Sequence, residues 1–102
     1  PCSDLILCRD LIIHFPIESI YSLIRNFILS ESKYLLITQH VILDPKFILN
    51  KQIEFGKFSY RNLTKPPFNF PNPLFLIPED SFDRRSERFL AFYELAELKK
   101  YL

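Results

Sequence analysis

The sequence predicts an α/β fold, and three observations carry that expectation. Two short apolar runs, Leu5-Ile6-Leu7-Cys8 and Tyr34-Leu35-Leu36-Ile37, have the texture of parallel strands buried on both faces. Between them lies a segment whose apolar residues recur at helical spacing, from Ile17 to Ile28. Strand, helix and strand within about 35 residues make a βαβ unit, whose crossover is right-handed in nearly all cases.

The elements follow in chain order. The first run is bounded by Asp4 and by Arg9-Asp10. Leu11-Ile12-Ile13 stays apolar into His14-Phe15, which reads as a turn packed against the core. Pro16 suits the first position of a helix, where a missing N–H costs nothing, and Glu18 is favourable in the first turn. Ile17, Ile20, Ile24, Phe27 and Ile28 form the apolar stripe, widened by Leu23; Glu18, Ser22, Arg25 and Asn26 fall outside it. Ser30-Glu31-Ser32 breaks the helix near Leu29, and Thr38-Gln39-His40 is the polar end of the second strand.

Beyond His40 the texture changes, and residues of about 41–73 read as a Pro/Phe-rich insertion. Pro66, Pro67, Pro71 and Pro73 stand among Phe68 and Phe70, a density that excludes helix and central strand. An ordered loop is expected there. Phe68 and Phe70 either pack on the domain or line a ligand pocket. Leu74 to Ile77 reads as a third strand stopped by Pro78, and Glu79 to Arg88 as a charged, solvated stretch. In the last segment Phe89, Phe92, Tyr93 and Ala96 would stripe a helix, whereas Leu90, Phe92 and Tyr93 also suit a strand. Periodicity alone leans to helix.

Composition narrows the function classes. With 102 residues, 48% apolar and 25% charged, the chain is one packed domain or a piece of one, spanning 1–102. A net charge of +1 gives no field for nucleic acid. Gly56 is the single glycine, so no Gly-rich loop exists to cradle a phosphate or nucleotide. Cys2 and Cys8 lack a partner pair at metal-ligand spacing; no metal site is expected, and free thiols fit a reducing cytoplasm. Arg9, Asp10, His14 and Arg25 interrupt every apolar run before the roughly 18 residues of a membrane span. No signal peptide is expected. The opening at Pro1, without Met, fits either removal of an initiator or a chain cut from something longer. The expectation is a cytoplasmic chain, with neither membrane nor nucleic acid as partner.

The string Asp4-Leu5-Ile6-Leu7-Cys8-Arg9-Asp10, followed by His14-Phe15, resembles a recurrent signature of bacterial class I S-adenosylmethionine-dependent methyltransferases, where it forms the fourth strand and the loop after it. Ser30 to Leu36 resembles the approach to their fifth strand, with Glu31 where Gly is commoner. Gly56 and Phe58, Asn62-Leu63, Pro66-Pro67-Phe68 and Pro71 resemble the family's long insertion, with Phe58 where Trp is usual. Phe89 to Leu98 resembles the terminal strand and the turn after it, and on that ground Phe89 to Glu94 is expected to be a strand. The match is ordered and covers nearly the whole chain.

The resemblance implies half of a Rossmann-like methyltransferase sheet: strands four to seven, contiguous, the last antiparallel, with one main crossover helix. It also implies that the first three strands, the cofactor's glycine motif and its ribose-binding acid lie outside these residues. S-adenosylmethionine would then be the cofactor of the complete domain and would not bind this chain alone. The partner would be the missing amino-terminal half, or a second copy joined through the strand at 5–8.

Ligands of open α/β sheets bind beyond the carboxyl ends of the strands, where strand order reverses. On that rule Cys8 and Arg9 are candidate cofactor contacts, and Asp10 and His14 are candidate bases that would deprotonate a hydroxyl or amine acceptor. Gln39 and His40 would close the end of the next strand, His40 as a substrate contact, with Asn62 reaching substrate from the insertion. Each has a plainer reading. Asp10 could pair with Arg9 or cap a turn, His14 and His40 could be structural, and Asn62 could brace a loop. Two functions follow. One is a methyltransferase fragment, inactive alone, whose acceptor is a sugar or other small molecule by family analogy. The other is a non-catalytic remnant or interaction module that pairs with another chain.

Overall fold

The computed structural model describes residues 4–80 and 84–102. The first apolar run forms strand β1, Leu5–Cys8. A 3-10 turn at Ile12–His14 buries Ile12 and Ile13 and leads to helix α1, Ile17–Leu29. Strand β2 is Tyr34–Ile42, β3 is Phe75–Glu79 and β4 is Ser86–Glu94; a short helix α2, Leu95–Leu98, and a 3-10 turn at Lys99–Tyr101 follow. The fold is α/β, with one mixed four-stranded sheet in the order β1-β2-β4-β3. β1 and β2 are parallel across α1, as the βαβ reading expects, and β4 is antiparallel to both of its neighbours.

The stripe of α1 decides which sheet face is covered. Ile20 and Ile24 are fully buried and join Cys8, Leu35, Ile37, Ala91 and Tyr93 in the core, with Ile6 packed against it. Each large aliphatic side chain buried there contributes about 1.5–3 kcal/mol. The insertion completes this layer: Leu63, Phe68 and Phe70 are buried in the same core, so the two phenylalanines are packing residues. Pro16 precedes α1 as its extended N-cap and offers no side chain to the orphan N–H groups. The insertion supplies one instead. Ile17 N–H donates to Gln52 Oε1 at 2.9 Å, and Gln52 Nε2 donates to Glu18 Oε2 at 2.8 Å. That amide, with a backbone bond, holds the Glu18 carboxyl below its ordinary range.

Several expectations need correction. β1 is not buried on both faces: it is the sheet edge, and Leu5 and Leu7 are exposed because no layer lies over them. Thr38-Gln39-His40 does not end β2. Those residues are mid-strand, because β4 pairs with β2 along its whole length, and their polar groups are buried and bonded. β2 runs on to Ile42, two residues past His40. Pro78 does not stop β3; among the described residues it sits within an edge strand that pairs with β4, and an edge tolerates a missing donor. The stretch from Glu79 to Arg88 is not simply solvated. Ser86 is buried, and Glu79 and Arg88 are largely covered and ion-paired, since Ser86 already belongs to β4. Phe89 to Glu94 is strand, as expected, and the helical lean of its periodicity was misleading: Tyr93 and Ala91 face the core while Phe92 and Leu90 face the other way. Cys2 lies outside the described residues, as does the part of the charged stretch at 81–83.

Candidate functional site

β4 runs antiparallel to β2 and to β3, so β1, β2 and β3 all point their carboxyl ends the same way. A cleft of about 630 Å³ opens at that end. Arg9 and Asp10 come from the turn after β1, His40 from β2, Glu79 from the end of β3 and Arg88 from β4; Ile13, Phe58 and Tyr60 supply apolar wall.

The polar side of the cleft is a chain of alternating charge. Arg9 Nη2 lies 2.8 Å from Glu79 Oε2, Arg88 Nε lies 3.4 Å from Glu79 Oε1, and Arg88 Nη2 pairs with the Asp10 carboxylate. Register explains the assembly, since Glu79, Arg88 and His40 stand in one row across β3, β4 and β2. Glu79 Oε1 and the Arg88 Nε and Nη2 atoms are out of water and meet their partners as ion pairs without hydrogen-bond alignment. Asp10 has a φ of 58°, a left-handed conformation that Asp tolerates better than most residues. Its N–H donates to Thr38 Oγ1 at 2.8 Å, which ties the turn after β1 to the middle of β2.

The structure brings Arg9, Asp10 and His40 together at this cleft and places the other candidates apart from it. His40 is 5% exposed, and its Nδ1 accepts the Arg61 N–H at 3.1 Å. A backbone N–H can only donate, so neutral His40 carries its proton on Nε2. His14 is set the opposite way. It is exposed, and its Nδ1 donates to the Lys57 carbonyl at 2.8 Å, leaving Nε2 as the basic nitrogen. Phe58 stands between it and the cleft, its ring centroid 6.3 Å from that of His14. Asn62 braces the insertion: its Oδ1 accepts from Thr64 N–H and Oγ1, and its Nδ2 donates to the His40 carbonyl. The Cys8 side chain points into the core, and burial pushes its thiol up to about 11.

Reading the sequence missed the residues that hold this end together. Arg61 is fully buried and donates to three backbone carbonyls: Nε to Ile12 at 3.2 Å, Nη1 to Lys51 at 2.8 Å and Nη2 to Phe15 at 2.7 Å. Burial lowers the guanidinium to about 10, so it stays charged at neutral pH. Asn50, at a φ of 55°, bonds Asn62 on both its N–H and its carbonyl. Glu79 and Arg88 sit where composition suggested open solvent, and Thr38 where it suggested a strand end. A trace of the signal existed in Arg88, whose two-residue spacing from Leu90 and Phe92 puts all three on one face of a strand.

Tested against S-adenosylmethionine, these residues do not form a cradle. Gly56 lies in an exposed turn at a φ of 84°, away from any helix start, with open space where a Cβ would go. The cleft carboxylates Asp10 and Glu79 are both engaged by arginines. Among the described residues, no cluster of His, Cys, Asp and Glu could hold a metal ion, and no helix is long and apolar enough to cross a membrane. Comparison with protein-family models, with curated proteins and with solved structures finds no match for this chain.

Proposed function

We propose that this chain is the carboxyl-terminal half of a class I methyltransferase-like domain, contributing the acceptor-side wall and inactive by itself. The observation that supports the reading is topological: four contiguous strands, the last in the chain antiparallel, with the carboxyl ends of the other three meeting at a cleft that holds Arg9 and Asp10. The signature residues after β1 fall where an open α/β sheet places its ligand. In the complete domain S-adenosylmethionine supplies an already activated methyl group. This chain would position the acceptor, a sugar or other small molecule, between the apolar wall of Phe58 and Tyr60 and the charged row. Alignment provides much of the rate in such a transfer. Asp10, the candidate base in contact with the cleft, would accept the acceptor's proton once a ligand draws Arg88 away; His14 would serve only if the Phe58 turn moved. The cellular setting that goes with this reading is the cytoplasm.

Titration calorimetry of the isolated chain with S-adenosylmethionine tests the first part. No binding is expected, and micromolar affinity would overturn the proposed division of labour. In a longer active parent, Asp10→Asn and His14→Ala should lower turnover more than stability. If both melt the fold while the rate per folded molecule holds, the structural reading of these residues stands instead.

A second reading, a non-catalytic module that pairs with another chain, is favoured by one observation. β1 is an open edge carrying Leu5 and Leu7 in the exposed state. Under it, a Leu5→Lys change on that edge shifts a dimer toward monomer in light scattering without altering any ligand binding.

A further inference from the structure

Strand alternation sends every second side chain to the face opposite α1. On that face lie Leu5 and Leu7 of β1, Tyr34 of β2, Phe92 of β4, and Phe75 and Ile77 of β3. Leu7 is 59% exposed, Leu5 45%, Phe75 49%, Ile77 39% and Tyr34 36%. Three of the rings form one stacked ladder across three strands: Tyr34 and Phe92 stack at 5.1 Å and 25°, Phe75 and Phe92 at 4.5 Å and 13°.

We propose that this uncovered face is a self-association surface, on which a second copy of the chain packs sheet to sheet about a two-fold axis. Shape is the first argument. The rings stand on edge, stacked face to face from strand to strand, so they form a continuous apolar ridge across three strands that can interdigitate with the side chains of another sheet. Area is the second. The exposed fractions correspond to roughly 500 Å² per copy, or about 1,000 Å² for the pair, which reaches the lower bound of a specific interface. It is also at the upper end of the largest apolar patch that monomers usually leave open, about 300–600 Å². Charge is the third. Exposed Glu94, opposite Tyr34 on β4, borders the ring ladder at one end; the Arg9–Glu79–Arg88–Asp10 row beyond the other end balances to zero; and a net charge of +1 sets up little repulsion between copies. An isologous two-fold contact asks for a surface complementary to itself, which a ridged apolar strip with little net charge satisfies.

This inference is independent of the methyltransferase reading and differs from pairing through the β1 edge, which does not involve β3. Sedimentation velocity on the 102-residue chain at tens of micromolar decides it. A dimer is expected. Phe75→Lys, on β3, and Leu7→Glu, on β1, should each weaken it by roughly thirtyfold or more, the scale of losing a central interface anchor. Leu29→Lys, which alters a still more exposed leucine on α1, should leave it unchanged. Far-ultraviolet circular dichroism checks that each variant folds. For a variant that fails this check, Tyr34→Cys replaces it as the test, and oxidation should then link the copies through that thiol. A wild-type monomer at these concentrations overturns the proposal, as does a dimer that survives Phe75→Lys and Leu7→Glu, or a folded Tyr34→Cys dimer that does not cross-link.

Discussion

Arg61 and Arg88 stand at the same end of the sheet and are held in opposite ways. Arg61 is fully buried, and its guanidinium gives its protons to the carbonyls of Ile12, Lys51 and Phe15, so one side chain ties the turn after β1 to the insertion. Arg88 keeps a quarter of its side chain in solvent and meets carboxylates, Asp10 and Glu79, that can rotate away. Backbone carbonyls cannot leave without unfolding the chain, whereas carboxylates can exchange an arginine for a ligand. The first region is an anchor and the second is an adaptable surface.

The largest effect is expected at the anchor. Arg61→Ala removes all three bonds, leaves buried carbonyls without donors and empties packed volume, at a cost of about 3–5 kcal/mol. That approaches the whole stability of a small domain, about 5–15 kcal/mol. Urea unfolding measures it; a midpoint within error of the wild type would mean that the insertion is tied down elsewhere.

Asn50→Asp comes next, because it keeps the shape and reverses one half of the amide. Asn50 Nδ2 donates to the carbonyls of Asn62 and Pro66 at 2.8 and 2.9 Å, and a carboxylate there would face acceptors. A loss of about 2–3 kcal/mol is expected at neutral pH, read by thermal melting. Equal stability for the two proteins would show that the turn at Asn50 is held by its backbone alone.

Cys8 reports on burial beside both regions. Its thiol ordinarily ionises near 9.0 and is pushed up to about 11 by desolvation. An acid whose folded pKa is raised keeps its proton longer in the folded chain, so stability is intact below pH 9 and falls as pH rises from 9 to 11. The loss should reach about 2–3 kcal/mol. Unfolding measured across that window should show the fall, and a Cys8→Ala variant should show a smaller one that starts only near pH 10, because burial also pushes up the Tyr93 hydroxyl.

The smallest effect belongs to the cleft. Arg88→Ala should cost only about 1 kcal/mol, because partly exposed ion pairs contribute little and are screened by salt. The wild type should lose this increment in high salt and the variant should not change. A loss as large as that of Arg61→Ala would end the distinction between anchor and adaptable surface.

Much of the fold was legible in the residues themselves. The α1 stripe, from Ile17 to Ile28, and the runs at Leu5–Cys8 and Tyr34–Ile37 specified a βαβ unit because periodicity is a local property of the chain. The density of proline at 66–73 ruled out regular structure for the same reason. The candidate site was legible only in part. Arg9 and Asp10 could be placed at a strand end by position, and His40 near it, but Asn62 and His14 could not be separated from the cleft without knowing how the insertion folds back.

What the tertiary structure alone decided are the partners. Phe89 to Glu94 suited helix and strand alike until nine residues of β4 found nine of β2 to pair with. The polar run Thr38-Gln39-His40 looked like a terminus until Asp10, Tyr93 and Arg61 supplied its hydrogen bonds from far along the chain. Arg61 and Arg88 are the same residue type in similarly mixed surroundings in the sequence. One became an anchor and the other a cleft wall because burial and bonding partners are set by contacts across dozens of residues, and no local pattern encodes those.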